Sequence, residues 1–197
     1  GRVCMDRNAI MERVRAQMPE RRWAHTAGVM ETAVRLAERY GADPAKAELA
    51  AILHDVAKYW KIEDQKRALI ESGEAGDLLE YDPQLWHAHV GAHVARRDYG
   101  IEDPEVLDAI RWHTSGRVGM TLLDKVVCLA DYMEPGRDFP GVDRIREEAG
   151  RSLDRALVLG FDSTISFLLA NGRLIYPLTV MARNDLIRLL DKEADNG

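Results

Sequence analysis

This chain predicts an all-α fold organised as a single helical bundle, and three observations carry the prediction. Apolar residues recur at spacings of three and four along most of the sequence. Helix start and stop signals divide it into helix-length pieces. Alternating apolar and polar stretches of the strand type, internal repeats and low-complexity tracts are absent.

Taken in order, residues 6–17 read as a short first helix ended before Pro19. Residues 20–40 follow, with Trp23, Ala27, Met30, Val34 and Ala37 spaced by four, three, four and three, and Gly41 as the stop. Asp43-Pro44 is an N-cap followed by proline at the first helical position, opening a helix that should run to about residue 59. Residues 61–72 form a charged, surface-type helix closed by Ser72-Gly73. Asp82-Pro83 opens a helix to about residue 99, before Gly100, and Asp103-Pro104 opens the next, to about residue 114. Thr121 with Asp124 is a capping box for a helix to residue 133. Residues 135–141, punctuated by Pro135, Gly136, Pro140 and Gly141, make a structured loop. Two last helices are expected near 152–170 and 179–192.

Composition limits the function. The chain has 197 residues, enough for one domain with a sizeable core. A net charge of −6 and a pI near 5.6 speak against a broad nucleic-acid surface or an anionic-membrane patch, but leave room for a small phosphate substrate in a locally positive pocket. No apolar run reaches transmembrane length, and the first seven residues lack the apolar core of a signal peptide. Cys4 and Cys128 are too few for a disulfide framework or a thiolate zinc site, so they are expected to be reduced thiols of a cytoplasmic protein.

The chemistry shows where polar residues interrupt apolar stripes. His54-Asp55 ends the run Ala50-Ala51-Ile52-Leu53. His25 lies in line with Gly28, Val29 and Leu36; His113 ends the stripe Val106, Ala109, Ile110; Asp131 interrupts Val126-Val127-Cys128-Leu129-Ala130. A buried carboxylate without a partner is costly, so it pairs, neutralises or binds a metal. One such residue is more often a satisfied core group, but four or five on successive helices point to a shared site. The helix after Asp82-Pro83 holds three histidines. His87 aligns with Val90, Gly91 and Val94 and should face inward. His89 and His93 share a face that continues into Arg96 and Arg97, so both should lie at the surface or rim.

Longer strings carry a resemblance. Arg22-Trp23-Ala24-His25-Thr26-Ala27-Gly28-Val29, Leu53-His54-Asp55-Val56-Ala57-Lys58, Arg111-Trp112-His113-Thr114-Ser115-Gly116-Arg117 and the stretch from Leu129 to Gly141 are similar to the HD-domain phosphohydrolases. Within these they resemble the bacterial YqeK-type branch of symmetrical bis(5′-nucleosyl)-tetraphosphatases, which split diadenosine tetraphosphate into two ADP. The likeness runs from about residue 11 to 184. It implies one HD domain over 1–197, with a metal-binding core at about 20–140 and C-terminal helices at about 150–193. It implies two first-row metal ions, iron before manganese, held by His25, His54, Asp55, His87, His113 and Asp131, with Asp55 bridging. One departure stands after His87, where that branch has a small residue and a proline and this chain has Ala88-His89.

Six nitrogen and oxygen ligands without a thiolate suit such ions, which would lower the pKa of a water that attacks phosphorus in line. His54, Asp55 and Lys58 are the expected catalytic set. Lys58, Thr114, Arg117, Arg137 and Asp138 are the expected substrate contacts. The glycines sit at helix ends and form no Walker-type loop. The partner implied is a small dinucleoside polyphosphate or nucleotide, not nucleic acid or membrane, and a homodimer is allowed. Alternatives are another HD-type nucleotide phosphohydrolase, and a nucleotide-sensing metal module without turnover.

Overall fold

Residues 5–196 are described by the computed structural model. Among them the regular structure is ten α-helices and two short 3-10 turns, with no strand. The helices are α1 (Arg7–Arg15), α2 (Glu20–Tyr40), α3 (Pro44–Leu53), α4 (Ile62–Ser72), α5 (Trp86–Tyr99), α6 (Pro104–Arg111), α7 (Leu122–Met133), α8 (Val142–Ala149), α9 (Leu153–Ala170) and α10 (Pro177–Asn196). The start signals act as caps. The Asp6, Asp43 and Asp103 carboxylates accept from the backbone N–H groups of Ala9, Ala45 and Glu105, and Thr121 and Asp124 make both halves of the capping box. Gly41 closes α2 at φ 86°, a left-handed position that suits only a residue without a Cβ.

α7 is the axis of the bundle. Val126, Val127, Cys128, Leu129 and Ala130 are all fully buried, because the helix packs against α2, α3, α6, α8 and α9. A helix that is apolar on every side belongs in the middle. α2 lies along α3, where Ala47, Ala50 and Ala51 expose nothing and their small side chains let the two helices approach closely. α5 and α6 pack together on another side, and α9 joins α8 and α10 to the rest through Leu157 and Phe161. His25 stands on a helix that touches this axis, Asp131 on the axis itself, His54-Asp55 and His113 just past the ends of α3 and α6, and His87 on α5, which packs against α3 and α6.

Three boundaries differ from expectation, and one helix was not expected. Asp82-Pro83 caps a short 3-10 turn over Pro83–Leu85, and α5 begins only at Trp86. α3 stops at Leu53, so His54-Asp55 stands in a run of tight turns over 54–59 rather than inside a helix. The N–H groups of His54, Val56, Lys58 and Trp60 each bond three residues back, and the His54 ring takes the Ala51 carbonyl as well. α6 likewise stops at Arg111, short of His113. α8 follows the 135–141 loop, with Val142, Ile145 and Ala149 buried as an i, i+3, i+7 stripe. Cys128 is a free, buried thiol whose pKa burial pushes well up; Cys4 lies outside the described residues. No helix among the described residues is long and apolar enough to cross a membrane.

Candidate metal centre

The helix ends bring His54, Asp55 and His113 together, while α2 supplies His25, α5 supplies His87 and α7 supplies Asp131. All six residues expected as ligands converge. His54, Asp55, His87 and His113 are buried, each at most 4% exposed. His25 Nε2 lies 2.9 Å from Asp131 Oδ1 and 3.7 Å from Asp55 Oδ2. His54 Nε2 lies 3.3 Å from Asp55 Oδ2 and 3.4 Å from Asp131 Oδ1. The other Asp55 oxygen, Oδ1, faces His87 Nε2 at 3.2 Å and His113 Nε2 at 3.7 Å, and those two ring nitrogens are 3.3 Å apart. Asp55 thus turns one oxygen to each of two donor sets.

The rings are held with the correct nitrogen inward. His54 Nδ1 donates to the Ala51 carbonyl at 2.5 Å and His113 Nδ1 to the Ile110 carbonyl at 2.7 Å, which turns both Nε2 atoms toward the cluster, where each can give a lone pair once it carries no proton. This explains why both histidines sit just past a helix end. There a carbonyl three residues back is free of the i−4 ladder and a side chain can claim it.

The donor set fits first-row metal ions on grounds internal to the fold. The ligand atoms of His25, His54 and Asp131 lie within 4.8 Å of one another, as do those of His54, Asp55 and His113. His54 Nε2 is buried without a hydrogen-bond partner. Without an ion, charge balance falls to protons and arginines. Burial opposes charge on His54, but Asp55 and Asp131 raise its pKa to about 10. Burial also opposes ionisation of Asp55, yet His54, His113 and His87 hold its pKa well below the usual carboxylate range. His87 is lowered, burial outweighing Asp55, so it stays a neutral imidazole.

Cationic groups ring the cluster. Arg137 donates through Nε to the Asp131 carbonyl at 2.8 Å and through Nη2 to Asp131 Oδ1 at 3.0 Å. Arg22, a residue to which sequence reasoning gave no role, pairs with Asp55 Oδ2. Lys58 is half-buried in the combined field of Asp55, Arg22, Asp131 and Arg137. Burial lowers its pKa, Asp55 working against that.

Two further residues were missed. Glu134, 4% exposed, brings Oε1 within 3.4 Å of His25 Nδ1 and accepts from the Gly136 N–H at 3.1 Å through Oε2. Gly28 leaves room for it, since a Cβ there would sit 2.0 Å from Glu134 Oε2. Arg146, on the unexpected α8, donates to the carbonyls of Met133, Glu134 and Arg137 at 3.0, 2.8 and 2.8 Å, fixing the loop that carries Glu134 and Arg137. The stripe of α8 was a readable signal; a carboxylate one residue before Pro135 was not.

Three expectations need correction or sharpening. Arg117 points away from the cluster: its Nε pairs with Asp124 at 2.8 Å and its Nη2 with Asp108 at 3.4 Å, because the buried Asp124 carboxylate needs a counter-charge. His89 is not at the rim but buried, with its ring edge-on to Trp112 at 5.1 Å and Nδ1 3.5 Å from Glu74. The arginine-bearing face was misleading because α4 and the Trp112 turn cover its first turn; His93 is half-buried. Thr114 keeps a shielded hydroxyl without a partner beside His113, and Asp138 stands exposed on the loop.

Comparisons with known proteins agree with this geometry. The family described as HD domain matches residues 22–136. The symmetrical bis(5′-nucleosyl)-tetraphosphatase of Bacillus subtilis is 46% identical over 183 residues, spanning 93% of this chain and 98% of that protein. The protein of the same name from Staphylococcus aureus is 40% identical over 170 residues, spanning 85% and 88%. A crystal structure from Clostridium acetobutylicum, of a predicted HD superfamily hydrolase involved in NAD metabolism, superposes with a TM-score of 0.90 at 39% identity, covering 94% of this chain and 99% of that one. With six convergent histidine and aspartate side chains on an all-α bundle and a family match over most of that core, this chain belongs to the HD domain family.

Proposed function

We propose that the chain is a metal-dependent phosphohydrolase that cuts a dinucleoside tetraphosphate at its central anhydride, turning diadenosine tetraphosphate and water into two ADP. The observation that carries the reading is the division of Asp55, one oxygen toward His25 and His54 and the other toward His87 and His113. That division suits two ions rather than one, iron first and manganese second by ligand type. The names of the B. subtilis and S. aureus relatives support the substrate.

Ions bound there supply Lewis acidity, polarising a phosphoryl oxygen and making a water acidic near neutral pH. The chain's own residues do the rest. Asp55 and Asp131 confine the positive charge, and His54 and His113 present Nε2 because their Nδ1 protons are spent on backbone carbonyls. Arg137 and Arg22 lie on Asp131 and Asp55, so both guanidiniums stand at the edge of the cluster, where they would contact the polyphosphate. Lys58 adds charge from the same side. The departing ADP leaves through a phosphate whose second pKa is about 6, so no dedicated acid is required. The helices after residue 150 belong to the same unit in this reading, since α9 packs on α7 and α8. The paucity of cysteine is consistent with a cytoplasmic enzyme.

Chromatography of the nucleotides released from diadenosine tetraphosphate with manganese or ferrous ion tests this. ADP as the sole early product is the expected result. Equal AMP and ATP would mean asymmetric cleavage, and tight binding without product would mean a sensor; either overturns it.

A further inference from the structure

α8 lies beyond the residues that match the HD domain family, 22–136, yet it is fastened to both helices that carry His25 and Asp131. Its stripe of Val142, Ile145 and Ala149 is buried and seats it against α7 and α9. At its C-terminal end the Ala149 carbonyl accepts from the Tyr40 hydroxyl and the Gly150 carbonyl from Arg39, both at the end of α2, the His25 helix. From its middle, Arg146 reaches the end of α7. Arg146 Nε donates to the Met133 carbonyl at 3.0 Å, and Nη2 donates to the Glu134 and Arg137 carbonyls at 2.8 Å each. Met133 and Glu134 are the last residue and the cap of α7, where helix carbonyls have no partner inside the helix. The ion-pair partner of Arg146, Asp143 at 3.4 Å, is 98% exposed, so the guanidinium is committed to backbone rather than to a carboxylate.

The bend held in this way sets where Glu134 points. Pro135 disfavours a helical conformation for the residue before it, and Glu134 leaves the helix at φ −53° and ψ 152°. Its carbonyl then accepts from the Arg137 N–H at 2.9 Å as well as from Arg146, while its carboxylate turns back to His25 Nδ1. We propose that Arg146 is a positioning residue for the metal centre: by holding three carbonyls of the 133–137 bend, it keeps the Glu134 carboxylate on the His25 imidazole. A planar guanidinium with fixed donor directions can serve three carbonyls at once, whereas an ammonium is a point-like donor on a flexible stem. This rests on the metal-dependent reading of the site, and it goes further by giving a role to a residue outside both donor sets.

The test is a double-mutant cycle read as manganese affinity, by competition against a fluorescent chelator. A carboxylate partner of a metal-binding histidine is worth roughly ten- to a hundredfold in metal affinity, and Arg146 acts through that carboxylate, so its loss stays within the same range. Arg146→Lys should weaken manganese by about tenfold in the wild-type background, and by less than about threefold in a Glu134→Gln background, where the carboxylate is already gone. Arg146→Ala should lose affinity likewise, and methylguanidine should restore it where methylamine does not. Arg146→Lys binding within twofold of wild type, an equal cost in both backgrounds, or no rescue by methylguanidine would overturn the proposal. Loss of the helical circular-dichroism spectrum in Arg146→Lys would overturn it too, since the residue would then hold the fold rather than the bend. A wild-type protein that binds manganese but does not cleave diadenosine tetraphosphate removes the proposed function and keeps this inference; one that binds no manganese removes both.

Discussion

Glu134 offers the sharpest test of the site, because a neutral, isosteric change and a remote glycine should act through the same atom. Its carboxylate lies 3.4 Å from His25 Nδ1, on the side of the ring opposite the cluster. A carboxylate there fixes the tautomer and orientation of the imidazole and raises its basicity toward a metal. Removing such a partner typically costs ten- to a hundredfold in metal affinity, about 1.4–2.7 kcal/mol. Glu134→Gln should therefore bind manganese ten- to a hundredfold more weakly while keeping its helical circular-dichroism spectrum.

Gly28→Ala reaches the same result from the other side. In the interior of α2 alanine should gain about 0.5–1 kcal/mol over glycine. Its Cβ, however, would meet Glu134 Oε2 at 2.0 Å and Cδ at 3.1 Å, far inside contact distance. The carboxylate must then leave the slot where Gly136 N–H holds it, forfeiting a charged hydrogen bond worth about 1.5–3 kcal/mol. The clash wins, so the variant should lose both stability and metal. In a Glu134→Ala background the obstruction is gone and Gly28→Ala should cost little, a non-additivity that a double-mutant cycle reads directly. Competition against a fluorescent chelator measures the affinities. Glu134→Gln binding within twofold of wild type, or Gly28→Ala costing the same in both backgrounds, would refute the argument.

His87→Ala should lower bound metal from two ions per chain to one, by elemental analysis, whereas His89→Ala should leave the stoichiometry intact and lower stability by about 1–3 kcal/mol, as expected for a buried ring lost from Trp112 and Glu74. Arg137→Ala should cost about ten- to a hundredfold in kcat/KM with metal content preserved, and Arg117→Ala should change thermal stability through Asp124 but not kcat/KM. The metal-free protein should also show a pH signature. Asp55 and Asp131 are lowered against burial, so their contribution is present above about 3.9 and lost as pH falls through their folded values. His54 is raised to about 10, so its contribution is full below about 6.5 and lost as pH rises toward 10. Thermal melts of chelator-treated protein should thus decline from pH 6.5 to 10, and metal should remove that decline; a Tm rising over this window would contradict the assignment.

The site was legible wherever a single helix carried the information. His25, His87 and Asp131 stand on helices whose three- and four-residue stripes fix which way each side chain points, so the stripe alone aims them at the core. His54 and His113 were placed by the same logic for a partly different reason. The apolar run does bring the chain inward, but the rings are aimed by side-chain bonds to Ala51 and Ile110 that exist only because α3 and α6 have ended. A helical period cannot express that, which is why both helices were expected to continue past their histidines. His89 failed in the complementary way. Its neighbours Arg96 and Arg97 are polar, yet what covers its own turn, Trp112 and Glu74, comes from elsewhere in the chain.

The same reasoning explains which charges were recognised. Arg137 follows Asp131 by six residues through a loop of prolines and glycines, a spacing short enough to return it to the carboxylate it left. Arg117 follows His113 by four through a similar turn, but Asp124, buried at the start of α7, needs a cation more than the metal site does. An unpaired buried carboxylate there would cost several kcal/mol, against a surface guanidinium's small gain near an open pocket. Arg22 was overlooked because an arginine at the start of a helix reads as solvated, and only Asp55, brought close by the turn after α3, turns it inward. Which cation serves the site is therefore decided by where each buried carboxylate lies. In this fold Asp55 and Asp131 draw Arg22 and Arg137 to the mouth of the metal centre, and Asp124 draws Arg117 away from it.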